Sequence, residues 1–295
     1  MTNANTNYGI ETSTMVIEFN ASVWTARALD KKVTEEVTSD KLASKQAGRF
    51  NKNLMAGRTE LAEIQTIVGS ARNYIYQWSA PWSDAGQRWI PTARLLAIDQ
   101  RLSDYKAEFD AKVEAFLQTY PSLITGQAMA MGNMFNRSDY PSATDIRRRF
   151  DFNYTFLPVP STSDFRVAIP ADAQHELKER LQNALERRVE AAVEDVQARL
   201  VEHLTRMSVR LVSDTDPKTG EAKSKRFHDT LVSGAFDLCD LVADFNVTGD
   251  KKLSDARTRL EAALSGVTTE TLRTDEDQRD GLKKEVDGIL NSWNF

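Results

Sequence analysis

One stretch constrains the fold more than any other. Pro170 opens a helical run that reaches Leu211, and proline suits the first turn of a helix. Its apolar series is Leu177, Leu181, Ala184, Val189, Ala192, Val193, Val196, Leu200, Leu204, Met207 and Leu211. The steps keep these side chains on one side for about eleven turns, and at ~1.5 Å per residue the helix spans ~60 Å. A stripe that long has to be covered by another helix, in the same chain or in a second copy. Asp216-Pro217-Lys218-Thr219-Gly220 then makes a turn, so the helix hands over to a hairpin near Val212.

Elsewhere the same periodicity predicts helices over 41–78, 92–119, 122–134, 226–245, 251–264 and 268–293. Tyr120-Pro121 is expected to end the helix over 92–119, because a residue before proline is pushed out of the α region. Asp30 to Glu36 is charged and expected to be solvated. Ser142 and Asp145 begin a short helix with a capping-box pattern. Alternating or β-rich runs at 13–27, 151–159 and 164–169 predict strands. The fold expected is mainly α: an elongated antiparallel bundle of long helices, or a coiled-coil hairpin, with a small antiparallel β-sheet. The expected division is a disordered N-terminus over 1–12, a long-helix bundle with its sheet over 13–212, and a C-terminal helical unit over 213–295.

Composition narrows the functional classes. The net charge of −5 does not suit a general polyanion binder, because phosphate contacts need clustered Lys and Arg. The single cysteine, Cys239, allows no internal disulfide and fits a reducing compartment. The polar N-terminus has no signal-like apolar core, and no run is apolar enough to span a membrane. A cytoplasmic location is expected.

Candidate constellations are few. His175, His203 and His228 are the only histidines, and the first two stand 28 residues apart on one helix, ~42 Å, too far to share a metal. Asp237, Asp240 and Asp244 line one helix face, which a hard cation could use but which also fits an ordinary polar face. Asp214 to Gly220 carries a lysine where a calcium loop would need a ligand, and reads as a turn. Cys239 sits on an apolar face and behaves as a small hydrophobe. Phosphate-binding glycine loops and hydrolase motifs are absent. Neither metal nor cofactor is expected, and no catalytic residue is assigned.

Two surfaces have better standing. The segment 74–91 reads as a loop holding Tyr74, Tyr76, Trp78, Trp82 and Trp89, aromatic types common at interface centres. Arg147, Arg148 and Arg149 form the clearest basic run, a candidate polyanion contact. Met129, Met131, Met134 and Phe135 read as core.

The segments FDFNYTFLPVPSTSDFRV (150–167) and RFHDTLVSGAFDLCDLVADFNVTGDKKL (226–253) flank the long helix. With VWTARALDKKV (23–33) as a looser match, the chain from about Phe150 to Phe295 resembles an uncharacterised family of bacteriophages and prophages. The resemblance implies no activity and no site residues. It implies genes encoded near a MoxR-type AAA+ ATPase and a protein with a von Willebrand A-like domain. The expected function is a non-enzymatic phage interaction protein: an adaptor, scaffold or assembly subunit, homo-oligomeric, working with a protein partner such as an AAA+ ATPase. A nucleic-acid-associated protein is the alternative, and an inhibitor of a host defence system a further one.

Overall fold

The computed structural model describes residues 13–83, 86–160, 171–212, 214–215, 222–223, 227–246 and 249–292. The order of elements is β1 (Thr14–Ser22), β2 (Arg27–Leu29), α1 (Lys31–Asp40), β3 (Asn51–Asn53), α2 (Glu60–Gln77), β4 (Ala80–Pro81), β5 (Arg88–Pro91), α3 (Leu95–Met131), α4 (Ala143–Arg147), β6 (Asp151–Pro158), α5 (Ala171–Leu211), β7 (Asp214–Thr215), β8 (Ala222–Lys223), α6 (Thr230–Phe245), α7 (Lys251–Leu264), α8 (Thr269–Thr274) and α9 (Glu276–Asn291). The protein is mainly helical with a small antiparallel sheet, ordered β4-β5-β1-β6. Among the described residues, no helix is long and apolar enough to cross a membrane.

The chain forms two compact units interleaved in sequence. The first takes residues up to Ile17, Trp78–Leu95 and everything from Phe156 on. The second takes Glu18–Gln77 and Leu96–Thr155.

In the first unit the stripe of α5 is used within the chain. Leu185, Val189, Val196, Leu200, Leu204, Met207 and Leu211 are all buried. They pack against α6 and α9, and α7 closes the ring by packing on both of those helices. The burial covers the C-terminal two thirds of α5, while Leu177 near its start stays exposed. The turn between α6 and α7 is held by Asn246, whose side chain donates to the Asp250 carbonyl at 2.9 Å and accepts from its N–H at 2.7 Å. Asp250 then caps α7 by accepting from Lys252 and Leu253. The helix expected over 268–293 is instead two. Thr268 and Thr271 form a reciprocal capping box, and Asp275 restarts the chain as the N-cap of α9 by accepting from the Gln278 N–H at 3.0 Å.

In the second unit α3 runs unbroken through Pro121, where the sequence predicted a stop. Tyr120, Leu123 and Ile124 continue the buried face of Phe109, Val113 and Phe116, so packing outweighs the local cost of the proline. The Tyr120 hydroxyl donates to the Pro141 carbonyl at 3.1 Å, and its ring meets Trp24 edge-on at 5.7 Å. The helix expected from 41 begins only at Glu60. Residues 30–36, expected to be charged and solvated, are exposed or half-buried and lead into and open α1. It ends when the Leu42 N–H donates to Ser39 and the Ala43 N–H to Thr38, both carbonyls of its last turn. Residues 51–53 then pair with β2, and Gly57 turns the chain at φ +73°. The predicted strand over 164–169 and the expected disorder over 1–12 lie outside the described residues.

Candidate functional site

The aromatic segment does not form one loop. Tyr74 and Tyr76 lie on the last turn of α2 in the second unit, with Tyr74 edge-on to Tyr105 at 6.5 Å and Tyr76 exposed. Trp78, Trp82 and Trp89 belong to the first unit, the last two on or beside the β4–β5 hairpin. Trp82 and Trp89 are buried in the apolar core, 5.6 Å apart and edge-on, and Trp89 also meets Phe245 at 6.3 Å. Arg188 lies 4.2 Å over Trp82. Arg94 lies 3.9 Å over Trp78.

Arg94 also decides the acidic stripe. It pairs with Asp240 at 3.2 Å and with Asp244 by a short hydrogen-bonded contact. Two of the three carboxylates thus share one guanidinium. Among the described residues no group of three or more His, Cys, Asp or Glu is placed to hold a metal.

All three arginines of the basic run are exposed. Arg147 pairs with Glu114 at 2.6 Å, and Arg149 lends its carbonyl to Ser22. Arg148, between them, is exposed as they are. The methionine cluster, read from sequence as core, departs from that reading: Met129 is 90% exposed, and Met131, Met134 and Phe135 are half-buried.

Cys239 is buried among apolar neighbours, and burial pushes its thiol up to about 12. Such a thiol is a poor nucleophile because the thiolate is the reactive form. Alkylation by iodoacetamide near pH 8 is expected to be about a hundredfold slower, or more, in the folded protein than in the urea-unfolded chain. Equal rates would show that the thiol is reachable.

What the sequence did not single out is the segment 29–50 of the second unit. Leu29, Val37, Leu42 and Phe50 are all exposed there. Leu42 is 97% exposed and holds φ +52°. In its helix-ending motif that position normally takes glycine, since a left-handed residue with a Cβ costs about 1 kcal/mol. The motif needs only Leu42's backbone, so the fold makes no use of its side chain. In the same segment Leu29, Lys31, Thr34, Glu35, Lys45, Gly48 and Arg49 line a shallow groove of about 180 Å³. Three of these are cations. The one acid, Glu35, already pairs with Lys45 at 3.3 Å. The clustering of lysines and apolar residues was visible in the sequence, but the strained exposure of Leu42 was not.

A family model described as "Protein of unknown function (DUF3150)" matches residues 12–227. No curated protein and no solved structure matches the chain.

Proposed function

The chain belongs to the DUF3150 family, which brings no activity with it, and we propose that the protein is a non-enzymatic interaction protein that docks an acidic, partly apolar segment of a protein partner onto residues 29–50. The exposed, strained Leu42 carries this reading. Strain and apolar exposure at one residue are unfavourable for the free chain, and such residues cluster where a partner or ligand is engaged. The groove supports an acidic occupant, because Lys31, Lys45 and Arg49 face it in a chain of net charge −5. The placement of the other candidate groups fits the same reading: Cys239 is buried, and Asp240 and Asp244 are held by Arg94.

The partner we propose is the MoxR-type AAA+ ATPase implied by the resemblance to phage and prophage proteins, with the protein acting as its adaptor in the host cytoplasm. A homo-oligomer remains part of the proposal, although the buried two thirds of α5 no longer supply its interface. The nucleic-acid reading is weakened by the pairing of Arg147 with Glu114.

The test separates binding from folding. Leu42→Gly relieves the left-handed strain, so the full chain is expected to gain up to about 1 kcal/mol in urea denaturation. The same variant is expected to bind a purified MoxR-type ATPase at least about tenfold more weakly by calorimetry, since buried apolar anchors dominate interface energy. Unchanged affinity for Leu42→Gly and for the charge-reversing Lys45→Glu would overturn the docking face.

A further inference from the structure

The first turns of α6 face the last third of α5 across a half-open pocket of about 300 Å³. Its α5 wall presents His203, Arg206 and Arg210. Steps of three and four residues put all three on one helix face. The opposite wall presents His228, Thr230, Leu231 and Gly234. Two arginines and two histidines therefore line one cavity in an acidic chain.

The cavity is built rather than incidental. The His203 Nε2 lies 3.0 Å from the Leu231 carbonyl, which fixes the ring and assigns its proton to Nε2. Gly234 lets the ring lie against bare backbone: a Cβ there would stand 3.1 Å from the His203 Cε1. Burial holds the His203 pKa below its ordinary value, so the ring serves as a neutral wall and the arginines carry the charge. The contact of Arg206 with Glu202, at 3.9 Å, is too long for a hydrogen bond and leaves the guanidinium fork its donors.

We propose that this pocket binds a small phosphate-bearing anion, a phosphate monoester or pyrophosphate. The planar fork of arginine matches a pair of phosphoryl oxygens, and such charge-assisted bonds are about twice as strong as neutral ones. Thr230 adds a hydroxyl donor from the facing wall. The volume stands at the small end of ligand pockets, roughly 300–1,000 Å³, which suits a compact anion better than a whole nucleotide. The site lies in the first unit and does not depend on the docking face of the second.

Calorimetry of the full chain with pyrophosphate, and separately with glycerol phosphate, at low salt tests it. One-to-one binding is expected, weakening as salt rises. Arg206→Gln and Arg210→Gln are each expected to weaken it about tenfold, and the double variant to remove it. Binding of pyrophosphate alone would assign the site to the inorganic anion, and binding of both to the phosphoryl group in general. Arg148→Gln, in the other unit, is expected to leave affinity unchanged, and circular dichroism melts to match across all variants. No binding of either anion at millimolar concentration would overturn the proposal. So would a double variant that binds like the native protein, or an equal loss in Arg148→Gln, which would reveal only diffuse charge attraction.

Discussion

Replacing Lys52 with alanine is expected to destabilise the second unit by about 3–5 kcal/mol, the usual cost of removing one partner from a buried ion cluster. Lys52 sits at the middle of β3 and its side chain is only 7% exposed. Its ammonium lies 2.6 Å from Asp139 and 3.4 Å from Asp30, and it donates to the Met134 carbonyl at 3.0 Å. Asp30 is also the N-cap of α1. One side chain therefore ties the start of that helix to the turns after α3. Alanine would leave two carboxylates facing a gap with no cation. Hydrogen exchange over residues 51–77, with urea denaturation, reads the loss. A change below about 1 kcal/mol would show that water replaces the ammonium at little cost. The double variant Lys52→Met with Asp139→Asn is expected to recover part of the stability, because it removes one of the two carboxylates left without a cation.

The cluster sets a pH window. Burial alone would lower the Lys52 pKa, but Asp139 and then Asp30 outweigh it and raise the value above that of a free lysine. That contribution is present at every pH below the ordinary lysine range and is lost as pH rises through the raised value. The Val33 N–H, more than the Lys52 ammonium, holds the Asp30 carboxyl below its usual range. That contribution is present above about pH 4 and is lost as pH falls through the depressed value. The second unit is expected to be most stable between these limits.

Trp89→Ala is expected to cost the first unit about 3–5 kcal/mol, the range for emptying a buried aromatic site. Trp89 is 1% exposed and packs on Trp82 and Phe245. The experiment also decides what the aromatic segment is for. A core residue loses stability on truncation, whereas an interface residue loses affinity and leaves stability intact. A melt unchanged within about 1 kcal/mol, with weaker partner binding, would return Trp89 to the interface. Trp89→Phe is expected to cost less, in part because the indole N–H is buried with no acceptor among the described residues.

Periodicity made α5, α6 and α7 legible, since their buried faces repeat at the helical interval over many turns. It failed where one residue's backbone decides the outcome. Pro121 carries a local signal to stop, and only the buried flank of Tyr120 and Ile124 shows why the helix continues. Residues 41–59 have helical spacing, yet Leu42 turns left-handed and 51–53 are taken by a strand. No residue type announces either event. The candidate sites were equally hidden. His203, Arg206 and Arg210 share a face that spacing could have revealed, but the facing wall comes from α6, and its approach depends on Gly234. The tryptophans drew attention as a surface because aromatic content does not distinguish a core from an interface.

The interleaving of the two units has a consequence for synthesis. All of the second unit has left the ribosome once Thr155 emerges, whereas the first unit still awaits every helix of its bundle. Its earliest pieces, the start of β1 and the β4–β5 hairpin, carry Val16, Trp82 and Trp89. These apolar side chains share a core with α5 and α6, so they must wait at least until Leu185 to Phe245 are made. Domains commonly fold as units during translation. In this protein the later-completed unit holds the start of β1, so the interval before α5–α9 appear is its window of exposure to chaperones and to aggregation.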